Sequence, residues 1–451
     1  MQNVESRAFE TLKPGESASW ERTLQLRDLI AWRSAFGDTA VAAGDIPAEA
    51  AAGVLSSSFA ALVGARLPGP GSHILSLAVQ PTGVLPLDQP IQLTLTVREQ
   101  KPASRSLILD AKATGPGGEV LAHGAVEAVP PATPTQARLA EHRLEWLLEQ
   151  ARTLPPMRTG IVHPLSKDAL AGAVEAARAG LIEPVLYGPK AALQALAQQS
   201  GLDISSYELV DTRSEADSAG QAAHAAGAGK LQALMKGSLH TDVLLHAVME
   251  ADAGLRTGQL LSHVALISSP AYGRRFAVTD VALNIAPTLD QKRDIAQNAI
   301  GLLHALGVSE PKVAVIAAVE VVNSRMQATL DGAVLAKMAD RRQIVGGIVD
   351  GPLDLDAAVD AGAAQIKKIV SPVAGQADIL LVPNIETGNA VYKTLGFTAD
   401  AQTAGLVVGA RVPVILTSRA DTAAIRRFSA AVAVLYADAQ ARERAATVAV
   451  A

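Results

Sequence analysis

Polar and apolar residues alternate along two stretches in the first third of the chain. In residues 91–97 every second side chain is apolar, and residues 120–126 repeat the pattern after a Gly/Pro turn at 115–118. A period of two residues is typical of antiparallel strands that have one covered and one solvated face. The pattern therefore predicts an antiparallel sheet in this part of the chain.

Helical patterns precede these strands. Apolar residues recur at helical spacing in 24–36, and the small residues of 48–62 favour a longer helix. A helix followed by a meander of strands is an α+β arrangement, so residues 1–130 are predicted to form an α+β domain. Residues 131–154 begin with a Pro-rich stretch and continue with a polar helical stretch at 138–152, which we interpret as a linker and a helix.

From about residue 155 the chain changes to short apolar stretches that each lead into an Ala-rich helical stretch. That rhythm is typical of βαβ units, and it predicts an α/β domain with a mostly parallel sheet over residues 155–451. The stretches predicted as buried strands are 158–162, 184–186, 312–317, 344–349, 379–382 and 412–416. Ligands of such folds bind in the loops that follow the carboxyl ends of strands, so functional residues are expected there.

The composition of the 451 residues excludes several classes of protein. A net charge of −5 and the lack of Lys/Arg runs argue against a nucleic-acid partner. The chain has no Cys, which removes disulfides, thiolate ligands and a Cys nucleophile and fits a cytoplasmic location. Residues 1–10 lack the apolar core of a secretory signal, and no apolar stretch approaches the roughly 18 residues of a membrane span, so no membrane association is expected.

The loop after the last predicted strand holds the first candidate residues. Ser418 and Asp421 have the spacing of the N-cap and N3 residues of a helix, so they predict a helix start there. A helix N-terminus that follows a strand favours an anion, and the planar guanidinium of Arg419 suits phosphate oxygens. The loop is therefore a candidate phosphate site as well as an ordinary helix cap.

Further candidates follow other predicted strands. Gly388 and Asn389 are interpreted as a loop in which the backbone approaches a ligand and an amide donates to an acyl or phosphate oxygen. Asp350 is expected to end a strand. Lys236 and Arg256 lie in Gly-containing stretches that fit either an anion site or a solvated turn.

No motif typical of a metal or nucleotide site accompanies these loops. His240, His246 and His263 have no metal-ligand spacing and are interpreted as surface or core residues. The chain also lacks the Gly-rich nucleotide motifs and the H-E-x-x-H zinc motif. We therefore expect neither a metal nor a bound cofactor.

Taken in order, the loops resemble the phosphate acetyl/butyryltransferase family over residues 155–445, and the butyryl branch more closely than the acetyl branch. The stretches that carry the resemblance are 234–237, 240–242, 254–263, 279–291, 312–320, 350–353, 388–389 and 417–421. The resemblance implies an isopropylmalate-dehydrogenase-like fold in which two α/β subdomains flank a cleft. It assigns residues 155–260 and 412–451 to the first subdomain and 261–411 to the second.

The same resemblance implies an acyltransferase that moves a short acyl group, acetyl or butyryl, between coenzyme A and inorganic phosphate. Arg419 is then expected to bind phosphate, and Ser418 or Asn389 to bind the oxyanion. Coenzyme A is a substrate, no other cofactor is implied, and we expect a homo-oligomeric enzyme.

Two positions depart from the pattern of the acetyl branch. Ile425 occupies the position of the Asp that is the proposed base there, and Asp421 is the nearest substitute. Leu245 occupies the position of an Arg, so phosphate binding is expected to depend on Arg256 or Lys236.

The first domain resembles the MaoC-like hydratases, which have a hot-dog fold. The likeness lies in residues 9–15, in Gly37 and Asp38, in 67–71 and in the alternating strands that follow. Hydratases of that family use an Asp and a His five residues apart, and here Ala43 occupies the position of the His. We therefore interpret the domain as a degenerate hydratase. Enoyl-CoA hydration by this domain, or acyl-CoA binding without catalysis, are the alternatives to acyl transfer.

We predict that the protein does not hydrate crotonyl-CoA at a useful rate, because Asp38 alone would have to supply both the acid and the base. The measurement is the absorbance of the enoyl thioester over time. A rapid loss of absorbance that Asp38→Ala abolishes would contradict the interpretation of this domain.

Overall fold

The computed structural model describes residues 3–24, 28, 48–82, 84–87, 89–138, 144–269, 274–399, 401–416 and 421–450. The chain divides into two compact units, Met1–Glu141 and His142–Ala451. Among the helices in this described part of the chain, none is both long and apolar enough to cross a bilayer. Asp38, Ala43 and all of the predicted helix 24–36 except Leu24 and Asp28 lie outside the described residues.

The first unit combines a long helix with an antiparallel sheet of order β2-β4-β5-β6-β3, and a short ladder pairs β1 with β7. This is the arrangement of a hot-dog fold, as the resemblance implied. Its elements are β1 (Asn3–Glu5), a 3₁₀ turn (Phe9–Thr11), β2 (Ser17–Thr23), α1 (Ala48–Ala65), β3 (His73–Pro81), β4 (Pro90–Lys101), β5 (Ser106–Thr114), β6 (Val120–Val129) and β7 (Gln136–Arg138).

Alternation along β4 sorts its side chains between the two faces of the sheet. Ile91, Leu93, Leu95 and Val97 are buried, as the period of two predicts, and they share a core with Phe59 of α1. Burial of an aliphatic or aromatic side chain of this size contributes about 1.5–3 kcal/mol. The helix and the sheet therefore stabilise each other through this face.

The helix predicted at 138–152 is shorter than expected. Residues Gln136–Arg138 form β7, whose backbone pairs with β1, and helix α2 spans only Glu145–Ala151. The pairing of β7 joins residues more than a hundred positions apart, and local periodicity carries no signal for such a contact.

The second unit alternates strands and helices. Its elements are α2 (Glu145–Ala151), β8 (Met157–Val162), α3 (Lys167–Arg178), β9 (Ile182–Gly188), α4 (Lys190–Ser200), β10 (Glu208–Asp211), α5 (Glu215–Gly227), β11 (Ala233–Lys236), α6 (Thr241–Met249), β12 (Ser262–Ser268), β13 (Arg275–Thr279), α7 (Leu289–Ala305), β14 (Lys312–Ile316), α8 (Gln327–Asp340), β15 (Ile348–Leu353), α9 (Leu355–Val359), α10 (Ala361–Ile366), β16 (Ile379–Leu381), α11 (Ile385–Thr398), β17 (Gln402–Val408), β18 (Val414–Ile415) and α12 (Ala423–Val450).

These strands form one sheet of eleven, in the order β10-β9-β8-β11-β18-β17-β12-β13-β16-β14-β15. Neighbours are parallel, as predicted, except for the three antiparallel pairs within β18-β17-β12-β13. The strands from β10 to β18 therefore run opposite to those from β13 to β15. The antiparallel centre was not predicted, because β12 is buried along its whole length and a strand buried on both faces shows no alternation of polar and apolar residues.

The strand predicted at 344–349 begins later, at Ile348, and continues to Leu353. Asp350 therefore lies within β15, together with Gly351 and Pro352, and does not end it as predicted. β15 is at the edge of the sheet, where a residue without a backbone N–H is tolerated.

A buried ion pair connects helices α7 and α8. Lys292 Nζ lies 2.7 Å from Asp331 Oδ2, and Gln327 Nε2 donates to Asp331 Oδ1 at 2.8 Å. Both charged side chains are about 95% buried. Removing one partner of such a pair typically costs about 3–5 kcal/mol, so the pair fixes how these helices pack.

Candidate active site

A cleft of about 440 Å³ opens in the second unit, at the ends of strands from both halves of the sheet. It lies where β11, β18 and β13 end, and helices α6 and α11 complete its walls. The lining residues are Lys236, Leu239, His240, Thr241, His263, Val281, Ala282, Asn389, Tyr392, Lys393, Leu416 and Asp421. Strand ends that open into a cleft are where α/β folds bind their ligands.

One wall is a strand–loop–helix segment suited to an anion. Lys236, the last residue of β11, is buried and lines the cleft. A Cβ at Gly237 would lie 2.3 Å from the Val162 carbonyl oxygen, so only glycine lets the loop follow β8 this closely. Helix α6 then begins at Thr241, which also lines the cleft. A lysine beside a helix N-terminus favours phosphate or another anion.

The opposite wall is helix α11, which begins earlier than the sequence analysis expected. Asn384 is its N-cap, and its Oδ1 accepts a hydrogen bond from the Thr387 backbone N–H at 3.0 Å. Gly388 and Asn389, predicted in a loop, therefore lie in the helix. The helix begins after Asn384 because the side-chain oxygen of this residue satisfies one of the free N–H groups of the first turn.

Gly388 sets how closely helix α11 approaches the turn after β13. A Cβ at this position would lie 2.2 Å from the Asp280 carbonyl oxygen. The close packing lets Asn389 Nδ2 donate to the Val281 carbonyl at 3.2 Å. Gly388 thus acts by close packing, and Asn389 presents its amide at the edge of the cleft.

The turn after β13 is held by the buried carboxylate of Asp280. Its Oδ1 accepts hydrogen bonds from the backbone N–H groups of Ala282 and Leu283 at 2.9 and 3.0 Å. Its Oδ2 accepts from the Asn284 backbone N–H at 3.3 Å and from Asn284 Nδ2 at 2.6 Å. The family resemblance includes the stretch 279–291. In this structure its first residues form the turn that places Val281 and Ala282 in the cleft wall.

Helix α12 also begins later than predicted. The helix begins at Ala423, and Thr422 Oγ1 accepts from the Ile425 backbone N–H at 3.4 Å. Thr422 therefore takes the capping position that was predicted for Ser418, and Asp421 precedes the helix instead of occupying its N3 position. Ser418 and Arg419 lie outside the described residues, while Leu416 and Asp421 both line the cleft.

Asp421 acts electrostatically on helix α11. Burial raises the pKa of the Tyr392 hydroxyl, and the nearby charge of Asp421 raises it further. Tyr392 also shares a hydrogen bond of 3.4 Å with the Thr403 hydroxyl. The charge of Asp421 is therefore felt across the cleft by a residue of the opposite wall.

Three candidates from the sequence, Gly388, Arg256 and Asp350, are not among the residues that line the cleft. Arg256 is exposed and donates from Nε to the Met249 carbonyl at 2.5 Å. Asp350 accepts from the Gly351 backbone N–H at 2.9 Å on the edge strand β15. Lys236, Asn389 and Asp421 are the candidates that the structure brings together.

His263 lines the cleft but was not predicted from the sequence as a candidate. His246 is exposed, with Nε2 3.7 Å from Glu250 Oε1, as expected of a surface histidine. His263 is buried at the start of β12 and lines the cleft, and exposed His240 lines it too. Burial lowers the pKa of the His263 imidazole, while the Asp280 charge and the Leu416 carbonyl oppose that shift.

One acidic cluster in the described residues has the spacing of a cation site. Its members are Glu320, Asp354 and Asp356. Lys367 Nζ pairs with all three, at 2.6 Å from Glu320 and 2.8 Å from Asp356. An ammonium group already neutralises these carboxylates, so the cluster is a salt-bridge network that ties Lys367 to its neighbours.

The family model for the Phosphate acetyl/butaryl transferase family matches residues 215–434. A phosphate acetyltransferase of Rhizobium meliloti is 48% identical over 303 residues, which are 67% of this chain and 95% of that protein. The chain belongs to the phosphate acetyl/butyryltransferase family. The family recognised from the order of the loops is thereby confirmed, and this member is a phosphate acyltransferase, as predicted.

Other relatives of the family carry both names. A phosphate butyryltransferase of Clostridium acetobutylicum is 43% identical over 263 residues, which are 58% of this chain and 87% of that protein. A solved branched-chain phosphotransacylase from Enterococcus faecalis V583 superposes with a TM-score of 0.56 at 30% identity. The match covers 62% of this chain and 99% of that protein. The second unit thus has the fold of a phosphotransacylase.

We predict that Gly388→Ala lowers the unfolding free energy by about 1–3 kcal/mol, because the new methyl group would overlap the Asp280 carbonyl. Helix α11 must then move, so acyl transfer should also decrease at least about tenfold. Urea unfolding and initial rates measure the two effects.

Gly396→Ala on the same helix is the matched control. The nearest atom to a Cβ there is Thr403 Cγ2 at 3.9 Å. We expect a neutral or stabilising effect of up to about 1 kcal/mol, because alanine favours a helix more than glycine does. Equal effects of the two substitutions would show that Gly388 is not a packing constraint.

Proposed function

We propose that this phosphate acyltransferase moves an acetyl or butyryl group between coenzyme A and inorganic phosphate, and that the reaction takes place in the cleft between β11 and α11. The observation that carries the proposal is the convergence of Lys236, the start of α6, Asn389 and Asp421 on one cleft at the strand ends. Coenzyme A is a substrate in this proposal, and no separate cofactor takes part.

Phosphate is proposed to bind between Lys236 and the start of helix α6. Lys236 supplies a positive charge, and Thr241 supplies a hydroxyl and the first turn of the helix. Arg419 is proposed to complete the site from the loop that joins two cleft residues, Leu416 and Asp421. Its guanidinium can hold two phosphate oxygens, which an ammonium group cannot do with the same geometry.

The carbonyl oxygen of the acyl group gains negative charge when the thiol or phosphate attacks. We propose that Ser418 and the amide of Asn389 donate to this oxygen. A single donor of this kind typically contributes about 3–4 kcal/mol to transition-state stabilisation. The chain has no Cys, and attack of the thiol directly on the acyl phosphate needs no covalent enzyme intermediate.

Asp421 is proposed as a catalytic residue through its charge beside the reacting groups. It precedes the helix, so its side chain is not required for the cap that Thr422 forms. Arg256 and Asp350, the other substrate-binding candidates, receive no role in this site.

We also propose the subdomain division of the family, with 155–260 and 412–451 in one subdomain and 261–411 in the other. The return of β18 to pair with β11 supports this division, since it brings the end of the chain back to the first half of the sheet. Three further properties stay predictions: an isopropylmalate-dehydrogenase-like fold, a cytoplasmic location and a homo-oligomeric assembly.

The test of the function is phosphate-dependent release of free coenzyme A from a series of acyl-CoA substrates. We expect turnover with acetyl-CoA or butyryl-CoA, and formation of acyl phosphate in equal amount. The acyl-CoA-binding alternative predicts binding without release. If no substrate of two to eight carbons reacts above background, the proposed function is wrong.

We predict that Arg419→Ala lowers the rate at least about a hundredfold, because a charged donor to phosphate is lost. Arg419→Lys should also be slow, since lysine keeps the charge but not the planar fork. The measurement is the phosphate dependence of the rate in both variants. Near wild-type turnover and phosphate affinity in Arg419→Ala would show that the phosphate site lies elsewhere.

A further inference from the structure

His263 is a residue of the cleft to which the proposed roles assign no function. It is the second residue of β12, with 4% of its surface exposed, and it forms part of the cleft wall. On the neighbouring strand β17, a Cβ at Gly405 would lie 2.7 Å from His263 Nε2. Glycine at this position leaves the space that the imidazole fills.

Neither ring nitrogen of His263 forms a hydrogen bond of ordinary geometry with the described residues. Buried polar groups are nearly always paired, and an unpaired one typically costs free energy. His163, another buried histidine of the same unit, does have a partner, since its Nδ1 lies 3.0 Å from Ser218 Oγ. A substrate group in the cleft would supply a hydrogen-bond partner of good geometry, which the described residues do not provide.

The groups around the ring fix its protonation state. Burial is the main influence and lowers the pKa of the imidazole, so the ring is neutral at neutral pH and able to accept a proton. The Asp280 carboxylate and the Leu416 carbonyl favour the protonated ring and so stabilise it once it forms. The other titratable groups that line the same cleft are Asp421, Lys236, His240, Tyr392 and Lys393.

We propose that His263 accepts the proton of the coenzyme A thiol while the sulfur attacks the carbonyl carbon of the acyl phosphate. The C–S bond forms, the bond from that carbon to the phosphate oxygen breaks, and phosphate leaves with the electron pair. In the reverse direction the imidazolium returns its proton to the departing thiolate. This assignment rests on the proposed function and fills the position for which Ile425 supplies no carboxylate.

The chemistry favours histidine over Asp421 for this step. A thiol has an ordinary pKa of about 8.5, an imidazole about 6.5 and an aspartate about 3.9. A base whose pKa is nearer to that of the thiol and to the working pH accepts the proton more efficiently. In this assignment Asp421 and Asp280 contribute negative charge that stabilises the imidazolium.

The experiment compares pH profiles of kcat/KM for coenzyme A, with acetyl or butyryl phosphate as the second substrate. The variant is His263→Gln, which keeps a polar side chain but cannot take up a proton. His163→Gln is the matched control, because His163 is also buried with a pKa lowered mainly by burial but does not line the cleft. Asp421→Asn tests the competing base, and thermal unfolding checks that each variant is folded.

For the wild type we expect kcat/KM to fall in acid solution, at a pH below the ordinary imidazole value of about 6.5, because burial lowers the pKa of the ring and its protonation removes the base. In His263→Gln we expect kcat/KM at pH 7 to be at least about a hundredfold lower than in the wild type. It should then rise steadily with pH until the thiol itself ionises near 8.5. The deficit of this variant therefore shrinks in alkaline solution. His163→Gln should keep the wild-type profile, and Asp421→Asn should be slower but keep the acid limb.

The assignment is overturned if kcat/KM of His263→Gln falls in acid solution as it does in the wild type, or if that fall is lost in Asp421→Asn. A deficit of His263→Gln that is the same at every pH would also overturn it, because a purely structural role has that result. His263→Asn replaces the glutamine variant if that variant does not fold, with the same expectations. Absence of any transfer by the wild type would instead overturn the proposed function.

Discussion

One buried carboxylate organises the side of the cleft that helix α11 and the turn after β13 form. Asp280 accepts hydrogen bonds from the backbone N–H groups of residues 282–284 and so fixes the turn after β13. Helix α11 packs against this turn through Gly388, and the Val281 N–H donates to the His263 carbonyl at the start of β12. Without the carboxylate, the partly buried N–H groups of residues 282–284 would lose their acceptor, each at a cost of up to about 3 kcal/mol. The positions of helix α11 and of the start of β12 therefore depend on Asp280.

The reversal of strand direction in the sheet explains why the site lies at the centre of the second unit. β11 and β18 run one way and β13 runs the other, so their ends reach the cleft from two sides. Lys236 at the end of β11 and Lys393 on α11 bring positive charge to the cleft, and Asp421 after β18 brings negative charge. Charges of both signs suit a reaction in which one of two groups, thiol or phosphate, attacks the acyl carbon while the other leaves it.

Sequence periodicity predicted where single helices and strands lie better than it predicted which strands pair with each other. The strand β4 was predictable because one of its faces is solvated, whereas β12 was not, because every residue of it is buried. The rule that ligands bind after strand ends selected Lys236 and Asp421, which both line the cleft. The same rule also selected Asp350, which lies within an edge strand, and it missed His263 because an antiparallel strand brings its start, not its end, to the site.

The most direct test of the site is a crystal structure with coenzyme A and inorganic phosphate bound. We expect the thiol sulfur in the cleft beside His263 and the phosphate between Lys236 and the start of α6. A second cavity of about 750 Å³, whose lining includes Lys292 and Asp331, is the alternative binding site. A thiol bound in that second cavity, with the cleft beside His263 empty, would contradict the account.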